Sequence, residues 1–153
     1  ITRHTQIPTR WIDQGATQGL PIFKVKTRYI SGLIEVELAK HIADKTNWRT
    51  LLKEDGQPIA LEDKFAELLP HVLTVIESIK QEYGDDAIQI LSGEITSIEY
   101  PVEQHPIKII SHNFDKNPVV SGVLQGIKGQ YLILDTGVIN IRKFGSYEVT
   151  FND

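Results

Sequence analysis

The sequence of 153 residues contains no cysteine and no methionine. Without cysteine, the chain can form no disulfide, thiolate metal site or cysteine nucleophile. The composition also does not indicate whether the protein resides in an oxidising or a reducing compartment. No run of about 18 apolar residues is present, so we expect no membrane span. No charged segment followed by an apolar one opens the sequence, so we expect no signal peptide and a cytoplasmic location. The missing initiator methionine suggests that further residues precede Ile1.

The net charge of −4 is unevenly distributed along the chain. Residues 1–53 carry nine Lys/Arg and four Asp/Glu, whereas residues 54–153 carry seven Lys/Arg and sixteen Asp/Glu. A basic segment joined to an acidic one predicts two separate tasks, with any polyanion bound by the basic segment. The alternative is that like charges gather by chance on solvated faces.

The pattern of apolar residues predicts an α+β fold, and residues 1–56 form its first part. They are interpreted as strand, helix, strand and helix, with a strand over 21–29 leading into a helix over 32–45. Ser31 is the expected N-cap of this last helix, because a serine side chain accepts hydrogen bonds from the free amides of a helix start.

The other two predicted parts are a helical connector and a β-rich region. Residues 57–87 repeat apolar side chains at helical spacing, and Pro70 is expected to kink or split this helix. Residues 88–153 alternate short apolar segments with Gly, Asn and Asp, which predicts a small antiparallel β-barrel or rolled sheet that ends with the strand YEVTF (147–151). The triplet at 135–137 is typical of a hairpin turn, whereas aspartic-protease chemistry needs two such aspartates.

Glu35 is the most informative residue of the predicted helix. At about 100° per residue, it falls in the middle of an arc of apolar side chains, whereas Glu37 falls on the opposite, polar side. The residues of this arc are Ile34, Leu38, Ala39 and Ile42. We therefore expect Glu35 to point toward the core or into a cleft, where an ionised carboxylate needs a cation or several hydrogen-bond donors.

Two arginines are candidate partners of Glu35. Arg10 lies on the first predicted helix, and Arg28 lies at the end of the predicted strand that precedes the helix of Glu35. A guanidinium binds phosphate through two parallel hydrogen bonds. A carboxylate that binds a divalent metal ion next to such a guanidinium forms a minimal site for phosphodiester cleavage. The alternative is an ion pair that only tethers two structural elements. The residue types alone leave both interpretations open.

The segment SGLIEVELAKHIADKTNW (31–48) resembles the second half of the GIY-YIG endonuclease domain, where a helix carries a metal-binding Glu and an Asn follows it. Glu35 and Asn47, twelve residues apart, have the separation of that pair. Upstream, ITRHTQIPTRW resembles the segment that brings in the catalytic Arg, which matches Arg10. The segments RWIDQGA, SGLIE, ADKTNWR, GIKGQYLIL and NIRK also resemble an uncharacterised bacterial family, domain of unknown function 2797, and this resemblance covers nearly the whole chain.

The resemblance implies a nucleic-acid-interacting protein that cleaves phosphodiesters with a divalent metal ion, Mg²⁺ or Mn²⁺, held by Glu35. It makes Arg10 the phosphate-stabilising catalytic residue and Asn47 a site-shaping amide. Substrate contacts are expected from four further residues: Arg3, Arg28, His41 and Trp48. DNA is the expected substrate rather than RNA.

The alternative is a catalytically inactive module that binds nucleic acid or serves as a protein-interaction scaffold. The two tyrosines of GIY-YIG enzymes belong to strands that would precede Ile1, so residues 1–153 do not include them. The acidic β-rich region is expected to serve packing, a protein partner or self-association, because its charge disfavours phosphate binding.

Overall fold

The computed structural model describes residues 6–43, 47–54 and 59–152. The fold is α+β: most helices lie in the first half of these ranges, and most strands follow the longest helix. The helices are α1 (Ile7–Asp13), α2 (Arg28–Leu38), α3 (Trp48–Lys53) and α4 (Leu61–Tyr83). The strands are β1 (Gln18–Gly19), β2 (Phe23–Val25), β3 (Ile88–Ile90), β4 (Thr96–Ser97), β5 (Leu124–Lys128), β6 (Tyr131–Leu134) and β7 (Gly137–Asn140).

The strands form three separate antiparallel sheets. β1 pairs with β4, β2 pairs with β3, and β5, β6 and β7 form a three-stranded meander. The hairpin predicted at 135–137 is confirmed, because β6 and β7 pair across this turn. Among the described residues, none of the sheets closes into the expected barrel. β3 and β4, which the sequence pattern groups with the C-terminal strands, pair instead with strands near the N-terminus.

The chain divides into two compact units that are interleaved in sequence. The first unit consists of Ile1–Ile7, Thr17–Thr46 and Gln57–Ser97, and the second of Pro8–Ala16, Asn47–Gly56 and Ile98–Asp153. By sequence, the first unit carries eight Lys/Arg and eleven Asp/Glu, and the second carries eight and nine. The basic excess of residues 1–53 is therefore divided between the two units, and neither unit is basic overall. The expectation of one basic and one acidic part does not hold for the folded units.

The core of the first unit lies between α2, α4 and the β2–β3 sheet. Its buried residues include Ile30 and Ile34 from α2, and Val72, Ile76 and Ile79 from α4. Successive members lie three or four residues apart on each helix, so one face of each helix is removed from water. α2 runs antiparallel to α4, since the ring of a tyrosine at the start of α2 contacts that of a tyrosine at the end of α4.

α2 begins four residues earlier than the sequence predicts. Thr27, in extended conformation, caps the helix, and its hydroxyl accepts a hydrogen bond from the amide of Ile30 at 3.2 Å. Ser31, the expected cap, is already inside the helix, and the helix ends at Leu38 instead of Lys45. Threonine is also a preferred N-cap residue, although weaker than serine, and helix formation at Arg28 places Ile30 in the core.

α4 is a single helix of 23 residues that continues through Pro70, so the expected split is wrong. A proline inside a helix removes one amide donor and leaves the carbonyl four residues earlier without its partner. Pro70 and Ala66 are both exposed, so water can satisfy that carbonyl. The apolar face of α4 lies on the other side of the helix.

The β5–β6–β7 sheet supplies the core of the second unit. Tyr131, Ile133 and Val138 pack there with Leu52 of α3. Within this unit, Tyr100 lies beside the turn that follows α1, because its hydroxyl lies 2.9 Å from the carbonyl oxygen of Ala16 and donates a hydrogen bond to it. Burial raises the pKa of the Tyr100 hydroxyl, and the charge of Asp13 adds to this effect.

We expect Tyr100→Phe to lower the free energy of unfolding by about 1–2 kcal/mol, because a partly buried carbonyl loses its donor. The raised pKa adds a pH dependence: the contribution of Tyr100 is complete below its ordinary pKa of 10.0 and is lost as the pH rises through the folded value. Urea unfolding at neutral and alkaline pH measures both effects. Equal stability of the two proteins at neutral pH would contradict this role of Tyr100.

Candidate functional site

The side of α2 that faces away from the core carries two opposite charges. Ile30 and Ile34 fix the buried side of the helix. At about 100° per residue, Arg28 and Glu35 lie on the opposite side, within about 20° of each other. Both are exposed. Seven residues at 1.5 Å separate their backbone positions by about 10 Å along the helix axis.

The expectation that Glu35 points toward the core is wrong. α2 includes Ile30 and ends at Leu38, so Ile42, which lay beside Glu35 within the predicted arc, and Ala39, which defined one edge of it, do not belong to the helix. The apolar arc of α2, which extends from Leu33 to Leu38, is therefore centred about 130° away from Glu35 and includes the position of Glu37.

Glu37 is instead the half-buried acid of α2. Its side chain is 21% exposed, and its carboxylate accepts a hydrogen bond from Lys40 Nζ at 2.6 Å. The same carboxylate lies 4.0 Å from His41 Nε2. The paired acid that was predicted at Glu35 is thus Glu37, and its partners are Lys40 and His41, which follow the C-terminus of α2.

Glu35 forms no hydrogen bond or ion pair with any described residue of the first unit. The residues between Arg28 and Glu35 on this side are small, namely Ser31 and Gly32. A Cβ atom added at Gly32 would meet nothing within 4 Å, so the surface there is open. We call Arg28, Ser31, Gly32 and Glu35 the open face of α2. Its carboxylate and guanidinium are both accessible to a ligand from solvent.

Exposed cations precede the open face in sequence. Lys24 of β2 and Lys26 alternate with half-buried or capping residues, and Arg28 continues the alternation. Lys26 forms an ion pair with Asp86, and its hydrogen bond lowers the pKa of the Asp86 carboxyl. Lys24 and Arg28 form no ion pair with a described residue of the first unit, so their charges remain available.

His41 lies beyond the C-terminus of α2 and has partners within the first unit. Its ring stacks on that of His71 with 4.1 Å between centroids, and Glu37 lies beside it. On α4, the hydrogen bond from Lys64 lowers the pKa of Glu67, and His71 adds a smaller effect of the same sign. The predicted substrate contact of His41 stays a prediction, but these neighbours already explain its position.

Asn47 and Trp48 belong to the second unit, where both have local structural roles. Asn47 caps α3, because its side-chain oxygen accepts a hydrogen bond from the amide of Arg49 at 3.1 Å. The ring of Trp48 stacks on that of Tyr131 at 5.5 Å, and the Arg49 guanidinium lies 4.5 Å from the Trp48 ring centroid. α3 is absent from the elements predicted from the sequence, although an Asn followed by WRTLLK is a recognisable cap and helix start.

The remaining predicted residues are distributed as follows. Arg10 is exposed on α1 and belongs to the second unit. Arg3 lies outside the described residues. The structure therefore brings together Arg28 and Glu35 on one helix face of the first unit, and places Arg10, Asn47 and Trp48 in the second.

The described residues were also compared with the requirements of a metal site and of a membrane-spanning helix. Within the described ranges, no group of three or more His, Asp or Glu side chains is arranged to hold a metal ion. Any metal bound at Glu35 would therefore need ligands from water or from substrate. In the same ranges, no helix has the length and apolar character needed to cross a membrane.

The family model described as a protein of unknown function (DUF2797) matches residues 1–149. No curated protein matches the chain, and no solved structure matches it either.

Proposed function

Because the chain belongs to the DUF2797 family of unknown function, we propose its function from the first unit itself: the open face of α2 binds the phosphate backbone of nucleic acid. In this proposal Glu35 holds a divalent metal ion against a phosphate, and the activity is metal-dependent cleavage. The observation that carries the proposal is an exposed carboxylate, unpaired within its unit, on the same helix face as an exposed guanidinium.

Arg28 supplies the phosphate contact. A guanidinium binds two phosphate oxygens at once, and Arg28 is exposed, with Lys24 a second available cation four residues earlier in the chain. The small residues beside Arg28 allow the sugar-phosphate backbone of a nucleic acid to approach the helix closely. Because the first unit is not basic overall, we expect binding to be weak and steeply dependent on salt.

Glu35 supplies the metal contact. Mg²⁺ keeps several waters and takes one or two protein carboxylates plus substrate phosphates, so a single exposed Glu suits it when phosphate completes the ligand set. The bound ion would neutralise phosphate charge and lower the pKa of a coordinated water. The structural alternative, in which Glu35 only tethers two elements, is disfavoured because Glu35 forms no ion pair with a described residue of the first unit.

Cleavage is the part of the proposal that depends on the GIY-YIG resemblance. In that resemblance Arg10 neutralises the charge that develops on the phosphate during attack by water. The second candidate function is binding without cleavage. It is favoured by the capping role of Asn47, whose side-chain oxygen is already engaged within α3.

Fluorescence anisotropy with labelled single-stranded DNA, duplex DNA and RNA tests the binding. We expect Arg28→Gln to weaken binding uniformly and to reduce the salt slope by about one, because one phosphate contact is lost. Arg142→Gln, an exposed arginine of the second unit, is the matched control. Failure of the wild-type protein to bind any of the three at about 20 mM salt would end the proposal.

Nicking of supercoiled plasmid in Mn²⁺ separates the two candidates. If the protein cleaves, we expect Glu35→Gln to reduce nicking to background and Glu37→Gln to retain it, because Glu37 is engaged by Lys40. Metal-dependent binding without nicking would favour the second candidate. Nicking that survives in Glu35→Gln would exclude Glu35 as the metal ligand.

A further inference from the structure

Gly32 lies midway between two stripes of exposed side chains on α2. At about 100° per residue, Arg28 and Glu35 form a charged stripe along the helix. Tyr29 and Val36, which are 63% and 66% exposed, form an apolar stripe about 100° from the first. Because Gly32 has no side chain, these four side chains border an open depression, which we call the Gly32 notch.

Neither backbone conformation nor packing explains a glycine at this position. Glycine inside a helix lowers stability relative to alanine. Gly32 does not have the positive φ that would exclude other residues, and a Cβ atom there would meet nothing within 4 Å. The remaining use of a glycine is to let a ligand approach the backbone closely, so the residue indicates a ligand at the notch.

The ring of Tyr29 is held by one contact but is not buried. It contacts the ring of Tyr83 on α4, with 6.3 Å between the centroids and 63° between the planes. Such a contact covers at most one face of each ring, so a face of Tyr29 remains open to solvent. A ring that is already held loses less conformational entropy when a ligand stacks on it.

We propose that the Gly32 notch binds an unpaired nucleotide of a single-stranded nucleic acid. The base stacks on the ring of Tyr29 and lies against Val36, and the phosphate is bound by Arg28. The inference rests on the proposed function, because it takes the phosphate contact of the open face and adds a contact to the base.

The two stripes together match the chemistry of a nucleotide. A nucleotide joins a negative charge to a flat ring, and the notch presents the exposed guanidinium of Arg28 and the exposed ring of Tyr29 on adjacent sides. Every base has a π-face, so stacking on an aromatic side chain needs no particular base sequence. In a duplex the neighbouring base pairs cover these faces, whereas a single strand presents them. The notch therefore selects single strands.

The length of the notch admits a base. Tyr29 and Val36 are seven residues apart, which separates their backbone positions by about 10 Å along the helix axis. Stacked bases are only about 3.4 Å apart, so a base can enter between the two side chains above Gly32. A larger side chain at position 32 would occupy this space.

The other occupant to test is an acidic peptide, whose carboxylates would also pair with Arg28. Apolar side chains of a peptide bind most strongly in packed pockets from which water is excluded. The notch is open to solvent and has a single aromatic ring, an arrangement on which a planar base stacks. The observations therefore favour the nucleotide.

Fluorescence anisotropy with two matched chains separates base contacts from phosphate contacts. Oligothymidylate of about 12 nucleotides carries bases, and an abasic oligomer of the same length carries the same phosphates without them. We expect the wild-type protein to bind oligothymidylate at least about tenfold more tightly, because only this chain can stack on Tyr29. Oligouridylate against abasic RNA repeats the comparison and distinguishes RNA from DNA as the source of the bases.

Two variants test whether this preference arises in the notch. We expect Tyr29→Ala to lower the affinity for oligothymidylate about tenfold and to leave the affinity for the abasic oligomer unchanged. Gly32→Leu fills the notch and gives the same loss, and it remains folded because leucine favours a helix more than glycine does. Phe151→Ala, at an aromatic residue of the second unit that is 82% exposed, is the matched control and retains the preference.

Failure of this inference is distinguishable from failure of the proposed function. Equal wild-type affinity for the two chains would overturn the base contact and leave phosphate binding intact. No binding of either chain at about 20 mM salt would overturn both. A preference that is unchanged in Gly32→Leu would overturn the notch as the site of the base. Tighter binding of polyglutamate of equal length would overturn the nucleotide and identify an acidic peptide as the occupant.

Discussion

Gly137→Ala is expected to lower the free energy of unfolding by about 2–4 kcal/mol, through backbone strain and a lost hydrogen bond. Gly137 has φ of 151°, which alanine rarely adopts. A Cβ atom there would lie 2.5 Å from the carbonyl oxygen of Ile110 and 2.7 Å from His112 Nε2. The Ile110 carbonyl cannot move away freely, because it accepts a hydrogen bond from the amide of Val138 at 2.8 Å.

Urea unfolding followed by tryptophan fluorescence measures this effect, since Trp11 and Trp48, the two tryptophans of the chain, both belong to the second unit. Gly145→Ala is the matched control. Gly145 has helical φ of −63°, and a Cβ atom there meets only the Arg142 carbonyl at an ordinary 3.5 Å. We expect the control to be neutral or slightly stabilising. A Gly137→Ala protein as stable as wild type would contradict the structure of this turn.

Ile76→Ala is expected to cost about 3–4 kcal/mol, because it removes buried methyl groups and leaves a cavity. Ile76 is 2% exposed and packs in the core shared by α2 and α4. Loss of this contact loosens the packing that holds α2, and with it the placement of Arg28 and Glu35 on the outer side.

Far-UV circular dichroism during urea unfolding reports on this change, because α4 is the longest helix in the described ranges. Leu73→Ala, three residues earlier on the same helix, is the control. Leu73 is exposed, so we expect its replacement to cost less than about 1 kcal/mol. Equal costs for the two variants would show that Ile76 is not a core residue.

The fold is predictable from sequence where local signals decide it. The apolar spacing of α4 and the turn at 135–137 are local, and both predictions are confirmed. The pairing of β2 with β3 and of β1 with β4 is not local, because each joins segments separated by α2 and α4. Such pairings depend on tertiary packing, which the pattern of one segment does not contain.

Arg28 and Glu35 were both named from the sequence, but Arg28 was placed on a strand and Glu35 on the helix after it, so their shared helix face was not predicted. Arg28 and Glu35 are seven apart, so any helix through both places them on one side. Which side faces the core depends on where the helix begins. A start at Gly32 omits Ile30 and turns Glu35 inward, whereas the cap at Thr27 includes Ile30 and turns Glu35 outward. An error of four residues at a helix end thus reversed the burial of the key acid.

Paramagnetic broadening by Mn²⁺ is the most direct test of metal binding at Glu35. Amide NMR signals of the protein with short single-stranded DNA are recorded during a Mn²⁺ titration. We expect signals from Gly32 through Ala39 to broaden first, to recover in Glu35→Gln, and to broaden as in wild type in Glu37→Gln. Broadening that is centred elsewhere, or that is unchanged in Glu35→Gln, would contradict a metal site on the open face of α2.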